Sequence, residues 1–165
     1  MSDYCHFCSE AFQNDKGPLD SDGPLFIARY DTHPVGFGHT LIVPTRHVAK
    51  FAELSPEETQ ALGGVVQSVI STFIASVPES LLQFYEDNLA QKPTPKAEEF
   101  SSRMLELDYA DTAPVDFTHG INDGPLAGQT IGHLHYHVIP RYKGDVDNPA
   151  FGVRNVFPQD LANYK

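Results

Sequence analysis

A chain of 165 residues that is 41% hydrophobic can bury one core without disulfide staples and is short for two, so a single domain over residues 1–165 is expected. Its 22 acidic residues against 11 basic ones give a formal charge of -11, which opposes the counterion displacement that bulk nucleic-acid binding depends on. No apolar run approaches the roughly 20 residues of a membrane span, and Met1 to His6 lack the basic and apolar blocks of a secretion signal, so no membrane partner is expected and the cytoplasm is the default compartment.

Cys5-His6-Phe7-Cys8 opens the chain and holds its only cysteines. That spacing is too tight for a framework disulfide and suits a metal knuckle or a redox pair. No strand-then-helix pattern of a thioredoxin-like unit surrounds it, so half of a zinc site is the better reading. Leu25 to Tyr30 reads as a strand, Asp31 to Gly38 as a loop punctuated by Pro34, Gly36 and Gly38, and His39 to Pro44 as a second strand ended by its proline, the two forming an antiparallel pair. Ser55-Pro56-Glu57-Glu58 combines an N-cap serine, proline at the first helical position and glutamate at the third, so a long helix should start here and run to about Val77. Leu62, Val65, Val66, Val69, Ile70, Phe73 and Ile74 recur along it at helical spacing and give it a core-facing side.

Pro78 to Pro114 reads as an insertion carrying a helix from Lys96 to Leu107, and residues 142–165 as a C-terminal tail. Between them come a strand over Asp116 to Ile121, a loop over Asn122 to Gly128, and a strand over Thr130 to Ile139. This last strand contains His133, His135 and His137. Alternate strand residues share a face, so the spacing predicts three imidazoles in a row, with Leu134, Tyr136 and Val138 on the opposite side. A neutral imidazole can act as nucleophile, general base or metal ligand, which leaves two chemical readings: covalent or acid–base catalysis, and a catalytic metal held by the three histidines. The acidic net charge does not exclude a small phosphorylated ligand, since a pocket binds phosphate with a few placed groups.

The stretch from Asn122 to Arg141, with Gly128-Gln129-Thr130 leading into His133-Leu134-His135-Tyr136-His137-Val138-Ile139, resembles the signature of the histidine triad (HIT) family, His-φ-His-φ-His-φ-φ with φ apolar. Tyr136 is a slightly polar occupant of a φ position. Gly38-His39-Thr40-Leu41-Ile42-Val43-Pro44 is similar to the family's Gly-His-φ-φ-φ-Pro block. The resemblance implies an α+β fold, an antiparallel β-meander with one long helix packed on it, and a homodimer joined edge to edge. It also implies hydrolysis at the α-phosphate of nucleotides, and Gly-Gln-Thr with Pro-Arg looks closest to the dinucleoside polyphosphate hydrolases. Phosphoramidase, nucleotidyl transferase and non-enzymatic nucleotide binding are the alternatives.

On that resemblance His135 would attack the α-phosphorus and carry the nucleotide until water releases it, while His137 would bond the phosphate oxygens. Thr130 would offer a hydroxyl near the leaving group, Gln129 and Asn122 would line the phosphate channel, and Asp31 would bind ribose hydroxyls unless it only caps its own loop. A divalent ion carried by the substrate is compatible with this scheme. Some family members hold a structural zinc, and the positions corresponding to its ligands are Cys5, Cys8, His47 and His133, the first histidine of the triad; His6 is a competing ligand. His39 would support the triad from a buried position.

Overall fold

The computed structural model describes residues 5–19, 23–91, 94–107 and 112–147. A 3-10 turn at His6–Cys8 leads into the short helix α1 (Glu10–Gln13), followed by strands β1 (Phe26–Tyr30) and β2 (Thr40–Pro44). Three helices come next, α2 (Pro56–Ala75), α3 (Glu79–Gln91) and α4 (Pro95–Glu106), and strands β3 (Asp116–Ile121) and β4 (Tyr136–Arg141) complete the described chain. The long helix expected from Ser55 is α2, but it has company: the described residues between Pro78 and Pro114 hold two helices instead of one. The tail beyond residue 147 lies outside the described residues. No single described helix is long and apolar enough to cross a membrane.

All pairings in the four-stranded sheet are antiparallel, and the strand order is β1-β2-β4-β3. Antiparallel sheets usually wet one face, yet every residue of β1 and β2 is buried, because both faces are covered. Phe26, Ala28, Tyr30, Ile42 and Val138 point to one side and pack with Leu62, Val66, Val69 and Phe73 of α2 and with Leu81, Phe84 and Tyr85 of α3. Ile27, Leu41 and Val43 point to the other and meet Phe7 and Phe12 from the N-terminal segment. Leu41 stands opposite His137, so pleat alternation sends that histidine to the face the N-terminal segment covers. The site is thereby placed between the sheet and the chain's first described residues.

α2 starts as its sequence dictates. Ser55 Oγ accepts from the Glu58 N–H at 3.1 Å, and Glu58 Oε2 accepts from the Ser55 N–H at 2.7 Å. Arg46 clamps the same carboxylate at 2.7 Å and holds Glu58 at a pKa of about 2. In the β1–β2 loop Gly38 adopts φ +82°, and a Cβ there would lie 2.8 Å from the Phe73 ring, so glycine is required on both counts.

Candidate active site and metal centre

The histidine strand begins later than expected. β4 starts at Tyr136, where pairing with Ile42 and Ile121 starts, so only His137 of the three histidines lies in regular strand. His133 and His135 sit on irregular backbone ahead of it, and the expected strand over Thr130 to Ile139 is corrected accordingly. The row of three equivalent imidazoles is corrected with it. His133 turns its Nδ1 to the two cysteines, 3.4 Å from Cys5 Sγ and 3.5 Å from Cys8 Sγ, while His135 and His137 line a cavity. Among the described residues no cluster of candidate ligand atoms unites the three histidines, so their geometry disfavours a catalytic metal held by all of them.

His135 is buried, and its Nδ1–H donates to the His133 carbonyl at 2.8 Å. A neutral imidazole carries one ring proton, so this bond fixes the tautomer and leaves Nε2 with the lone pair. The ring packs edge-on against Phe7 at 5.1 Å and against His137 at 4.9 Å. His137 Nδ1 lies 2.9 Å from Nε2 of His39, which is itself buried and stacked on it. His39 Nδ1 lies 3.3 Å from the Asp31 carboxylate, and the Val35 N–H reaches it at the same distance. Burial first, and then the neighbouring His39 and His135, lower the His137 pKa to about 4; burial lowers that of His39 as well. His137 Nε2 has no hydrogen-bond partner among the described residues.

The cavity occupies about 860 Å³, within the range of small-molecule sites. Thr130, Asp31, His135 and His137 all line it, so four of the residues singled out from sequence converge there. Asp31 does two things at once. Its Oδ1 accepts from the His33 N–H at 2.8 Å, an Asx-turn, while Oδ2 faces His39. Gln129 and Asn122 are absent from the lining. Gln129 spends its amide on backbone, donating to the Ala49 carbonyl at 3.0 Å and accepting from the Gly124 N–H at 2.9 Å, which ties down the loop before the histidines. Asn122 is exposed beside Gly128. Phe26, Ile27 and Phe37 are plain core.

Some of the lining escaped the sequence reading. Phe7 and Phe12 form an aromatic wall, and Phe84, Asn88 and Ala97 bring α3 and α4 to the same cavity. The usable signal was the run Leu81, Phe84, Tyr85, Asn88, which is buried at helical spacing on α3 and ends in an amide.

Cys5, Cys8, His47 and His133 place one ligand atom each within 4.8 Å of all the others. Bond lengths of a tetrahedral zinc site require sulfur–nitrogen edges of about 3.5 Å. Here Cys8 Sγ to His47 Nδ1 is 3.3 Å, and the His133 edges are 3.4 and 3.5 Å. The Nε2–H of His133 donates to the Pro44 carbonyl at 2.9 Å, which frees Nδ1 as a ligand in the way metal-bound histidines are generally held. Burial and then Cys5 push the Cys8 thiol up, so two adjacent thiolates need a cation between them. The donor set fits a closed zinc site. His6 stands outside the cluster and lines the cavity.

The HIT domain family model matches residues 21–144. The chain is 28% identical to an uncharacterised HIT-like protein of Methanocaldococcus jannaschii, over 79% of this chain and 74% of that one. It is 29% identical to the bifunctional bis(5'-adenosyl)-triphosphatase/adenylylsulfatase of Arabidopsis thaliana, over 75% of this chain but only 49% of that protein, about half its length. Among solved structures, a HIT family protein from Bacillus anthracis superposes with a TM-score of 0.56 at 23% identity, covering 97% of this chain and 90% of its own. A zinc-bound histidine triad family protein from Mycobacterium smegmatis gives 0.50 at 23% identity, covering 92% and 89%. Matched over most of its length by the family model and carrying the family's fold, the chain belongs to the HIT domain family.

Proposed function

We propose that the protein is a nucleotide hydrolase that cleaves the α-phosphate linkage of dinucleoside polyphosphates or related nucleotide conjugates through a nucleotidyl-His135 intermediate. One observation carries the reading: the Nδ1–H of His135 is committed to the His133 carbonyl, which leaves an Nε2 lone pair on a ring that lines an 860 Å³ cavity. In the first step the Nε2–P bond forms as the bond from phosphorus to the leaving oxygen breaks, and the leaving phosphate departs with that electron pair. In the second, water attacks phosphorus, the Nε2–P bond breaks with its electron pair returning to Nε2, and the proton lost by the water passes to solvent. His137 is the donor to the phosphate oxygens, Thr130 the hydroxyl beside the leaving group, and Asp31 the acceptor for ribose hydroxyls. His39 orients His137 from behind. Cys5, Cys8, His47 and His133 hold a structural zinc ion, which pins the N-terminal segment and the backbone that His135 leans on; the Mycobacterium smegmatis relative, described as zinc-bound, supports this part.

The test is a substrate panel: diadenosine tri- and tetraphosphate, adenosine phosphoramidate and an aminoacyl-adenylate analogue, with mass spectrometry for nucleotide on His135. The dinucleoside polyphosphates should give the highest kcat/KM. His135→Asn should lower kcat by about 10⁴ or more while still binding nucleotide. Hydrolysis surviving in His135→Asn would refute the covalent route. Binding without turnover or labelling in the native protein would favour a nucleotide-binding protein.

A further inference from the structure

We propose that Asn88 reads the edge of an adenine base in the part of the cavity walled by α3, which makes α3 a specificity element of this enzyme. The inference rests on the proposed nucleotide chemistry and goes further by naming the base and the residue that selects it.

A nucleotide with its phosphorus at His135 and its ribose at Asp31 must place its base one sugar's length beyond Asp31. The structure indicates what stands there. Asp31, Phe84 and Asn88 line one cavity, and Asn88 lies one helical turn after Phe84 on α3. Phe84, Asp87, Asn88 and Gln91 all line the cavity, a set at i, i+3, i+4 and i+7 that shares one helix face. Phe12 and Leu41 line the same space and add apolar surface suited to a flat ring.

Of the polar members of that face, Asp87 is an acceptor with no donor to offer N7, and its carboxylate takes Lys16 at 2.6 Å and Gln83 at 3.0 Å. Gln91 is exposed. Asn88 is 8% exposed, and its Nδ2 has no hydrogen-bond partner among the described residues. Nδ2 is closed to solvent in the free protein, so a turn about χ2, a soft torsion, brings it to the cavity that Asn88 lines, where a buried donor that lacks a partner gains one. The amide offers a donor and an acceptor side by side. Adenine presents the complement at N7 and its exocyclic amino group, whereas guanine presents two acceptors at that edge and pyrimidines have no N7.

The experiment compares diadenosine triphosphate with its analogue carrying 7-deazaadenine at both ends, using the full chain, Asn88→Leu and Asn88→Asp. The native protein should favour the natural substrate by about tenfold or more in kcat/KM, and both variants should lose that preference. Asn88→Asp keeps the size of the side chain while removing the donor, so it answers the question if Asn88→Leu fails to fold. A merely structural Asn88 would lower both substrates by the same factor and leave their ratio unchanged. An active native protein with no deaza penalty, or variants that retain it, overturns the assignment while leaving the proposed activity standing. If the native protein turns over neither substrate and forms no nucleotidyl-His135, the activity itself fails and the role of Asn88 falls with it.

Discussion

His137 lies where burial and two neighbouring imidazoles all oppose its protonation, and its pKa of about 4 has a measurable consequence. An unfolded histidine titrates near 6.5, so between those values the unfolded chain binds a proton that the folded chain refuses. Stability present at neutral pH is therefore lost as the pH falls from about 6.5 towards 4. Urea midpoints of the native protein and of His137→Gln, measured at pH 7 and pH 5, should show the larger drop in the native protein. Any release of metal at low pH is common to both and cancels in the comparison. Equal drops would mean that His137 is not held neutral by its surroundings. Neutrality also suits the proposed work of this residue, since a ring that accepts at Nδ1 from His39 must carry its proton on Nε2, ready for an anionic oxygen.

Among the elements, α2 offers the cleanest test, because its start depends on four consecutive residues and one arginine. Ser55→Ala removes the acceptor for the Glu58 N–H and should cost about 1 kcal/mol, read as a shift in urea midpoint with an unchanged slope. That cap was legible from sequence because its physics is local, a hydroxyl three residues from a backbone amide. The limits of β4 were not, because pairing sets them: beyond Ile121 the neighbouring strand ends, and residues 130–135 have no partner in the ladder. α3 was hidden for a related reason. Its order comes from Leu81, Phe84 and Tyr85 packing onto the sheet core, and a stretch bounded by Pro78 and Pro93 shows little of that in composition. Gln129 and Asn122 show a further limit, since a motif position identifies a residue but not whether its side chain bonds backbone or faces the cavity.

At the scale of the molecule, the N-terminal segment is held by the aromatic contacts of Phe7 and Phe12 and by the four-ligand cluster. Chelation, or Cys8→Ser, should release one zinc per chain by elemental analysis and lower Tm by about 5 °C or more. A purified chain without zinc, or one indifferent to chelators, would contradict the metal assignment. The sheet leaves β3 as a partly exposed edge, with Val115 beside it 81% exposed, and such an edge invites pairing with a second copy. Light scattering should give twice the chain mass, and Val115→Lys should shift the protein towards monomer. Sequence resemblance singled out Cys5, Cys8, His47, His133 and His135, whereas the cavity that His135 shares with α3 and α4 depended on long-range packing and emerged only in three dimensions.

His133 gives its ring to the sulfur cluster and its carbonyl to the imidazole two residues later. An oxidant that couples the two thiols would therefore loosen the aim of the His135 ring, which it never touches. For anyone redesigning this scaffold, the four-residue cluster and the His135 ring form one module: altering either thiol means resetting the ring beside it.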